Sequence, residues 1–250
     1  MKDLAPPSWA ARLRSLTPAR VGMGQTGVSQ RLHDQLEFQR AHAQARDAVH
    51  ARLEVAAMAE ALRELCAVEV LCLHSRAADR ATYLQRPDLG RQLDERSLTQ
   101  LSARPAESVD LSIVIADGLS ALAMERHALP LLREALPRLD GWNLAPICIV
   151  EQGRVAIGDE IGAALGARMC LVLIGERPGL SAPDSMGGYI TWAPQPGRTD
   201  AERNCISNIR ADGLSYTQAS EQLLFYLAEG RRSQLTGVAL KGNARLIGNQ

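Results

Sequence analysis

The sequence predicts an α/β fold: an open parallel sheet with helices on both faces, preceded by a small helical N-terminal region. Three observations carry that reading. Apolar runs of strand length recur at residues 68–74, 110–116, 146–150 and 169–174. Stretches with helical spacing, such as 121–129 and 155–165, lie between them. Short strands that alternate with helices bury a parallel sheet between two helical layers, a Rossmann-like arrangement. A chain of 250 residues is long enough for one large or two modest domains and buries roughly 70–75% of its unfolded surface. The division is placed between an N-terminal arm and helical region, 1–66, and an α/β domain, 67–250.

In chain order, the arm to residue 14 carries Pro6, Pro7 and Trp9 and one short helical turn. From 29 to 53, Leu32, Leu36, Ala43, Val49 and Leu53 fall on one face at helical period, giving a long amphipathic helix. A second helix over 56–66 leads into the strand at 68–74, where the period switches to two. Residues 76–104 are polar and charged, with a turn at Arg86-Pro-Asp-Leu-Gly90, and read as a long excursion from the sheet. After the strand at 110–116, Asp117-Gly-Leu-Ser120 forms a turn with Ser120 as N-cap. The helix at 121–129 stops ahead of Pro130, and another runs on to 139. Then come the strand at 146–150, the turn Glu151-Gln-Gly-Arg154, the helix at 155–165 and the strand at 169–174. A further strand is expected at 189–192 and a last helix at 215–230, with Leu223, Leu224 and Leu227 on its apolar side.

Composition removes several classes of function. Lys plus Arg and Asp plus Glu both total 28, so the chain has no overall electrostatic footprint for nucleic acid or an anionic membrane. Its apolar runs are far shorter than the roughly 20 residues of a membrane span, and its first residues lack the apolar stretch of a signal peptide, so it reads as cytosolic. The five cysteines have neither C-x-x-C spacing nor a His pair suited to zinc, which fits a reduced compartment. Cys72, Cys148 and Cys170 sit in apolar runs and read as small buried hydrophobes, whereas Cys205 falls in a polar loop.

Gly22-Met-Gly-Gln-Thr-Gly27 matches G-x-G-x-x-G, but that fingerprint follows a strand, and Pro18 lies four residues upstream. A structural loop is the preferred reading. His42 and Arg46 are i, i+4 neighbours on a helix that also holds Asp47 and His50, without H-E-x-x-H spacing; this is a polar face suited to another subunit. His33, His74 and His127 stand alone and read as structural. No G-x-S-x-G elbow, phosphate-binding G-x-x-x-x-G-K-[ST] loop or His partner for Cys205 is present. What remains is a set of strand-end loops at 117–118, 151–155, 176–185 and 205–212, which a parallel sheet gathers at one edge. Helix caps and turns with no ligand account for these loops equally well.

At these loops the chain resembles the small (light) subunit of ethanolamine ammonia-lyase. The resemblance rests on Thr17-Pro-Ala-Arg20, Phe38-Gln-Arg-Ala-His-Ala-Gln-Ala-Arg-Asp-Ala-Val49, Tyr83-Leu-Gln-Arg-Pro-Asp-Leu-Gly90, Asp117-Gly-Leu-Ser-Ala121, Gly175-Glu-Arg-Pro-Gly-Leu180 and Arg203-Asn-Cys-Ile-Ser-Asn-Ile-Arg210, in order along nearly the whole chain. It implies a subunit that joins a large catalytic subunit and covers part of an adenosylcobalamin at the interface. It implies a reaction that turns ethanolamine into acetaldehyde and ammonia by homolysis of the cobalt–carbon bond, in cells that catabolise ethanolamine and often enclose the enzyme in a bacterial microcompartment. Residue by residue, the cobalamin contacts fall on Val155, Glu176 and Cys205. Glu176 would accept amide hydrogens from the corrin rim, Val155 at a helix start would offer backbone and apolar contact, and Cys205 would line the wall. The D-x-H-x-x-G signature of domains that place a His on cobalt is absent, so no His here is expected as a cobalt ligand. Two other readings are a scaffold subunit without a ligand and a nucleotide-binding domain using residues 22–27.

Overall fold

The structure, a computed structural model, describes residues 8–17, 19–23, 25–26, 28–104 and 108–240. Pro6, Pro7, Pro18, Gly24 and Gly27 of the motifs above lie outside the described residues. The N-terminal part comprises α1 (Ser8–Arg14), a hairpin of β1 (Gln25–Thr26) and β2 (Ser29–Gln30), α2 (Leu32–His50) and α3 (Val55–Leu65). The remainder contains β3 (Val70–His74), α4 (Arg80–Gln85), α5 (Glu95–Ser102), β4 (Val109–Ala116), α6 (Ala121–Ala135), β5 (Ile147–Glu151), α7 (Ile157–Ala164), β6 (Ala167–Gly175), β7 (Met186–Trp192), β8 (Arg203–Ile209) and α8 (Tyr216–Ser233).

The expected α/β architecture is present, with a mixed sheet. Its six strands run in the order β3-β5-β4-β6-β7-β8. The first four are mutually parallel, and β7 and β8 add to β6 as antiparallel strands. A parallel return needs a long crossover, usually helical, whereas residues 176–185 and 193–202 contain no α-helix. These loops can only fold the chain back beside itself.

Alternation along β4 builds the two sides of the core. Leu111, Ile113 and Ile115 pack with α3, α6 and α8 through Leu62, Met124, Leu132 and Leu223. Val114 and Ala116 face the opposite layer, where Leu101 of α5 and Ile157 and Ile161 of α7 pack with Cys148 and Cys170. Among the described residues no helix is long and apolar enough to cross a membrane.

Several sequence expectations are corrected. The helix expected to stop before Pro130 continues through it to Ala135, because Ala128, Leu131, Leu132 and Ala135 are all buried beyond or beside the break. Tertiary packing there outweighs the lost backbone bond and ring clash. Residues 76–104 hold two short helices, each started by an aspartate: Asp79 accepts from Thr82 N–H and Asp94 from Ser97 N–H, both at 2.7 Å. The long helix α2 buries only Ala41 and Ala48, leaving Leu32, Leu36 and Phe38 exposed. Cys72 is exposed because β3 is an edge strand, whereas Cys148 and Cys170 are buried as expected.

Candidate functional site

Parallel strands β3, β4, β5 and β6 end on one edge of the sheet, where β7 begins and β8 finishes; Gly175 pairs with Met186, which pairs with Ile209. All four loops singled out in the sequence therefore converge. Gly153 N–H donates to Asp117 Oδ1 at 3.1 Å, Leu119 N–H to the Gly175 carbonyl at 2.9 Å, and Arg210 Nη1 to the Ser181 carbonyl at 3.1 Å. Gly118 makes this closure possible. Its φ of +59° is left-handed, and a Cβ there would collide with the Gly175 carbonyl.

A pocket of about 380 Å³ opens between these loops, lined by Tyr83, Leu119, Arg154, Val155, Glu176 and Tyr189 among others. Val155 lies in the turn that precedes α7 rather than within the helix, and its carbonyl accepts from Gly158 N–H at 3.2 Å. Glu176 directly follows β6. Its Oε2 accepts from the Ser185 hydroxyl in a very short bond and from Asn208 N–H at 3.3 Å. Oε1 has no hydrogen-bond partner among the described residues, so one carboxylate oxygen remains available to a donor from outside. Gly187 leaves room for it, since a Cβ there would stand 3.0 Å from Oε1.

Cys205 corrects the sequence reading in its surroundings. It lies on strand β8, not in a loop, and is exposed. A partly polar edge strand, with Ile206 and Ile209 buried and Cys205, Ser207 and Asn208 exposed, reads as a loop from composition. Cys205 is not part of the pocket wall, yet it pairs in register with Tyr189, which is. Burial first, then the hydrogen bond with Cys205, raises the Tyr189 phenol pKa. Val155 and Glu176 thus share one pocket, and Tyr189 links it to Cys205 on the neighbouring strand.

Three further side chains brace these loops, and one of them, Tyr83, also lines the pocket. Arg80 is buried; it donates to the Val49 carbonyl at 2.6 Å and the Gly118 carbonyl at 2.7 Å, and lies 3.7 Å from Asp117. It fastens the end of α2 to the site. Burial pushes the Asp117 carboxyl up to about 6 against the pull of backbone amides and Arg80. Tyr83 is clasped between the guanidinium groups of Arg80, 4.8 Å from its ring centroid, and Arg154, at 4.2 Å. Its hydroxyl donates to the Gly153 carbonyl at 3.2 Å. The Asp79 cap is the one local signal for this segment.

The histidines take other places. His42 and His50 lie on the exposed face of α2. His127 bonds the Tyr216 hydroxyl at 2.8 Å and sits 3.4 Å from Asp184; burial lowers its pKa. His33 is less isolated than its sequence position implies, since its ring and the carboxylates of Asp34 and Glu37 offer ligand atoms within 4.8 Å of one another on exposed helix surface. Gly22, with φ +60° and Ala10 packed against it, serves as a structural loop residue.

The family model described as Ethanolamine ammonia-lyase light chain (EutC) matches residues 7–241. The chain is 56% identical over 239 residues to the Ethanolamine ammonia-lyase small subunit of Pseudomonas aeruginosa (strain LESB58), covering 94% of this chain and 87% of the relative. It is 57% identical over 240 residues to the protein of the same name from Azotobacter vinelandii, covering 94% and 88%. The corresponding protein of Pseudomonas putida (strain W619) is 55% identical over 243 residues, covering 95% and 89%. With a match over nearly its whole length and relatives at this identity, the chain belongs to the ethanolamine ammonia-lyase light chain family.

Proposed function

We propose that this chain is the small subunit of an adenosylcobalamin-dependent ethanolamine ammonia-lyase, and that it covers part of the cofactor where it meets a large catalytic subunit. The observation that carries the reading is the convergence of Val155 and Glu176 on one pocket, joined through Tyr189 to Cys205. These residues suit an edge of a corrinoid. Oε1 of Glu176 is free to accept a hydrogen bond from a peripheral amide, while Val155, Leu119 and the Tyr189 ring offer apolar contact. Cys205 adds a soft, exposed side chain on the adjacent strand. A pocket of about 380 Å³ holds only a margin of so large a cofactor, which supports a site completed by a second surface.

Bound adenosylcobalamin would supply the homolysable cobalt–carbon bond that starts radical chemistry on ethanolamine, leading to acetaldehyde and ammonia. This chain's part is to bind, orient and exclude water. No residue of it is assigned to proton or hydrogen transfer; those groups are placed on the large subunit. The region of residues 1–66 is read as a separate arm and helical part that meets the partner. Its exposed Trp9, Leu13, Leu16, Leu32 and Leu36 provide apolar surface for that purpose.

The test is ammonia release from ethanolamine and adenosylcobalamin by the large subunit with and without this chain. Turnover that requires both supports the reading. Full turnover by the large subunit alone would remove it.

A further inference from the structure

A second concavity of about 420 Å³ adjoins the first and shares Arg154 and Val155 with it. Its wall is basic, with Arg91, Arg154 and Arg198 beside Thr199, Pro87 and Asp200. Two acidic side chains lie close by, Asp200 in the wall itself and Glu202 beside Arg198. Arg198 is paired with Glu202, and Asp200, whose side chain is 93% exposed, lies 3.5 Å from the buried Arg203. Neither Arg91 nor Arg154 has a carboxylate partner among the described residues.

Arg154 is held but not neutralised. Its Nη2 donates to the Tyr83 carbonyl at 3.2 Å, its guanidinium stacks on the Tyr83 ring, and its Nε is buried with no partner. Its backbone N–H donates to the Gly90 carbonyl at 2.7 Å, which brings the segment carrying Arg91 against it. The fold therefore confines two uncompensated guanidinium groups to one concavity. Like charges so placed repel in the absence of an anion, and the planar donor fork of arginine matches the oxygens of a phosphate group.

We infer that this concavity is a subsite for a phosphate ester anion, filled by the phosphodiester in the nucleotide loop of the cobalamin seated next door. The inference rests on the cofactor reading above. A cobalamin carries one negative phosphodiester in the tail that leaves the corrin edge, so an anion subsite next to a corrin-edge pocket recognises a second part of the same molecule. Arg91 and Arg154 would then select for a complete nucleotide loop rather than for the ring alone.

The test uses the complex with the large subunit and three probes: adenosylcobalamin, cobinamide, which has the corrin ring without the nucleotide loop, and inorganic phosphate. Arg91→Gln is the primary variant, because the Arg91 side chain makes no bond within the described structure that its loss would break. Arg154→Gln and Arg154→Lys accompany it, with melting temperatures to monitor the Tyr83 stack. Loss of a charge-assisted bond should raise the adenosylcobalamin Kd about tenfold in Arg91→Gln and leave that for cobinamide unchanged. Arg154→Lys should retain more affinity than Arg154→Gln. Equal losses for both corrinoids, or no loss for either, would overturn the subsite and leave the cofactor reading standing. A wild-type complex that binds neither corrinoid would overturn both. Thermal protection by phosphate that Arg91→Gln abolishes, with adenosylcobalamin affinity unchanged, would overturn the assignment to the cofactor in favour of a free phosphate.

Discussion

Asp159 and Arg203 meet in a buried, two-pronged ion pair, with Nη1 2.7 Å from Oδ1 and Nη2 2.7 Å from Oδ2. Both side chains are only 2% exposed. Asp159 lies in the first turn of α7, four residues after Val155; Arg203 opens β8, two residues before Cys205. The pair therefore fixes the separation of two residues proposed to meet the cofactor. Arg203 Nη1 also donates to the Thr191 hydroxyl at 3.0 Å and Nη2 to the Arg198 carbonyl at 3.0 Å, so its fork is nearly saturated.

Removing one partner should leave an uncompensated buried charge. Asp159→Ala is expected to destabilise the chain by about 3–5 kcal/mol, and the Asp159→Leu/Arg203→Met pair by much less. Denaturant unfolding of the two variants measures the difference. Equal stability of Asp159→Ala and wild type would show that the pair contributes nothing.

Glu176→Ala should weaken cobalamin retention by the two-subunit complex and leave the ethanolamine KM nearly unchanged, because the carboxylate is proposed to meet the cofactor rather than the substrate. Removal of a charged acceptor corresponds to about tenfold or more in cofactor affinity. Equilibrium binding by absorbance, with ethanolamine kinetics in parallel, separates the two effects. An unaltered cofactor Kd would remove Glu176 from the site.

Gly187→Ala tests the same carboxylate without deleting it. The added Cβ would stand 3.0 Å from Glu176 Oε1 and 3.2 Å from Tyr189 Cε2, so the carboxylate must move by a few tenths of an ångström. Cofactor affinity should fall while the melting temperature changes little. A large melting shift with unchanged affinity would assign Gly187 to packing alone.

Much of the sheet was legible because buried strands are continuous apolar runs. β4 and β6 were outlined by such runs, and Ser120 caps α6 as expected, accepting from Ala123 N–H at 3.3 Å. Polar elements were not. α4 and α5 are short and capped by aspartates, and β8 exposes every polar residue between its buried isoleucines, so composition resembles a loop. Pro130 does not end α6, because Ala128, Leu131, Leu132 and Ala135 bury the face that carries the helix past it, which no local backbone rule encodes. At the site, residue spacing located the converging loops, while Val155, Glu176 and Cys205 came from family resemblance. The roles of Arg80, Asp117 and Tyr83 depend on contacts between segments more than 30 residues apart, which no local pattern encodes.

Asp117 should give the fold a pH signature. Its folded carboxyl keeps its proton to about 6, against 3.8 for the unconstrained group. Between those values the folded state binds more protons than the unfolded state, so this group's contribution to stability rises as pH falls through about 6 and is complete below 3.8. The full span corresponds to about 3 kcal/mol. Stability of wild type relative to Asp117→Asn, followed from pH 7 to pH 4 by denaturant unfolding, should rise on acidification. A flat difference would contradict a raised Asp117.

The central claim is a cobalamin site shared between two chains. The visible absorption spectrum after desalting, taken on this chain, the large subunit and their complex, each mixed with adenosylcobalamin, tests it most directly. The account predicts stoichiometric corrinoid on the complex, little on either subunit alone, and reduced retention with Glu176→Ala. Equal retention by the large subunit alone and by complexes with either form of this chain would contradict it.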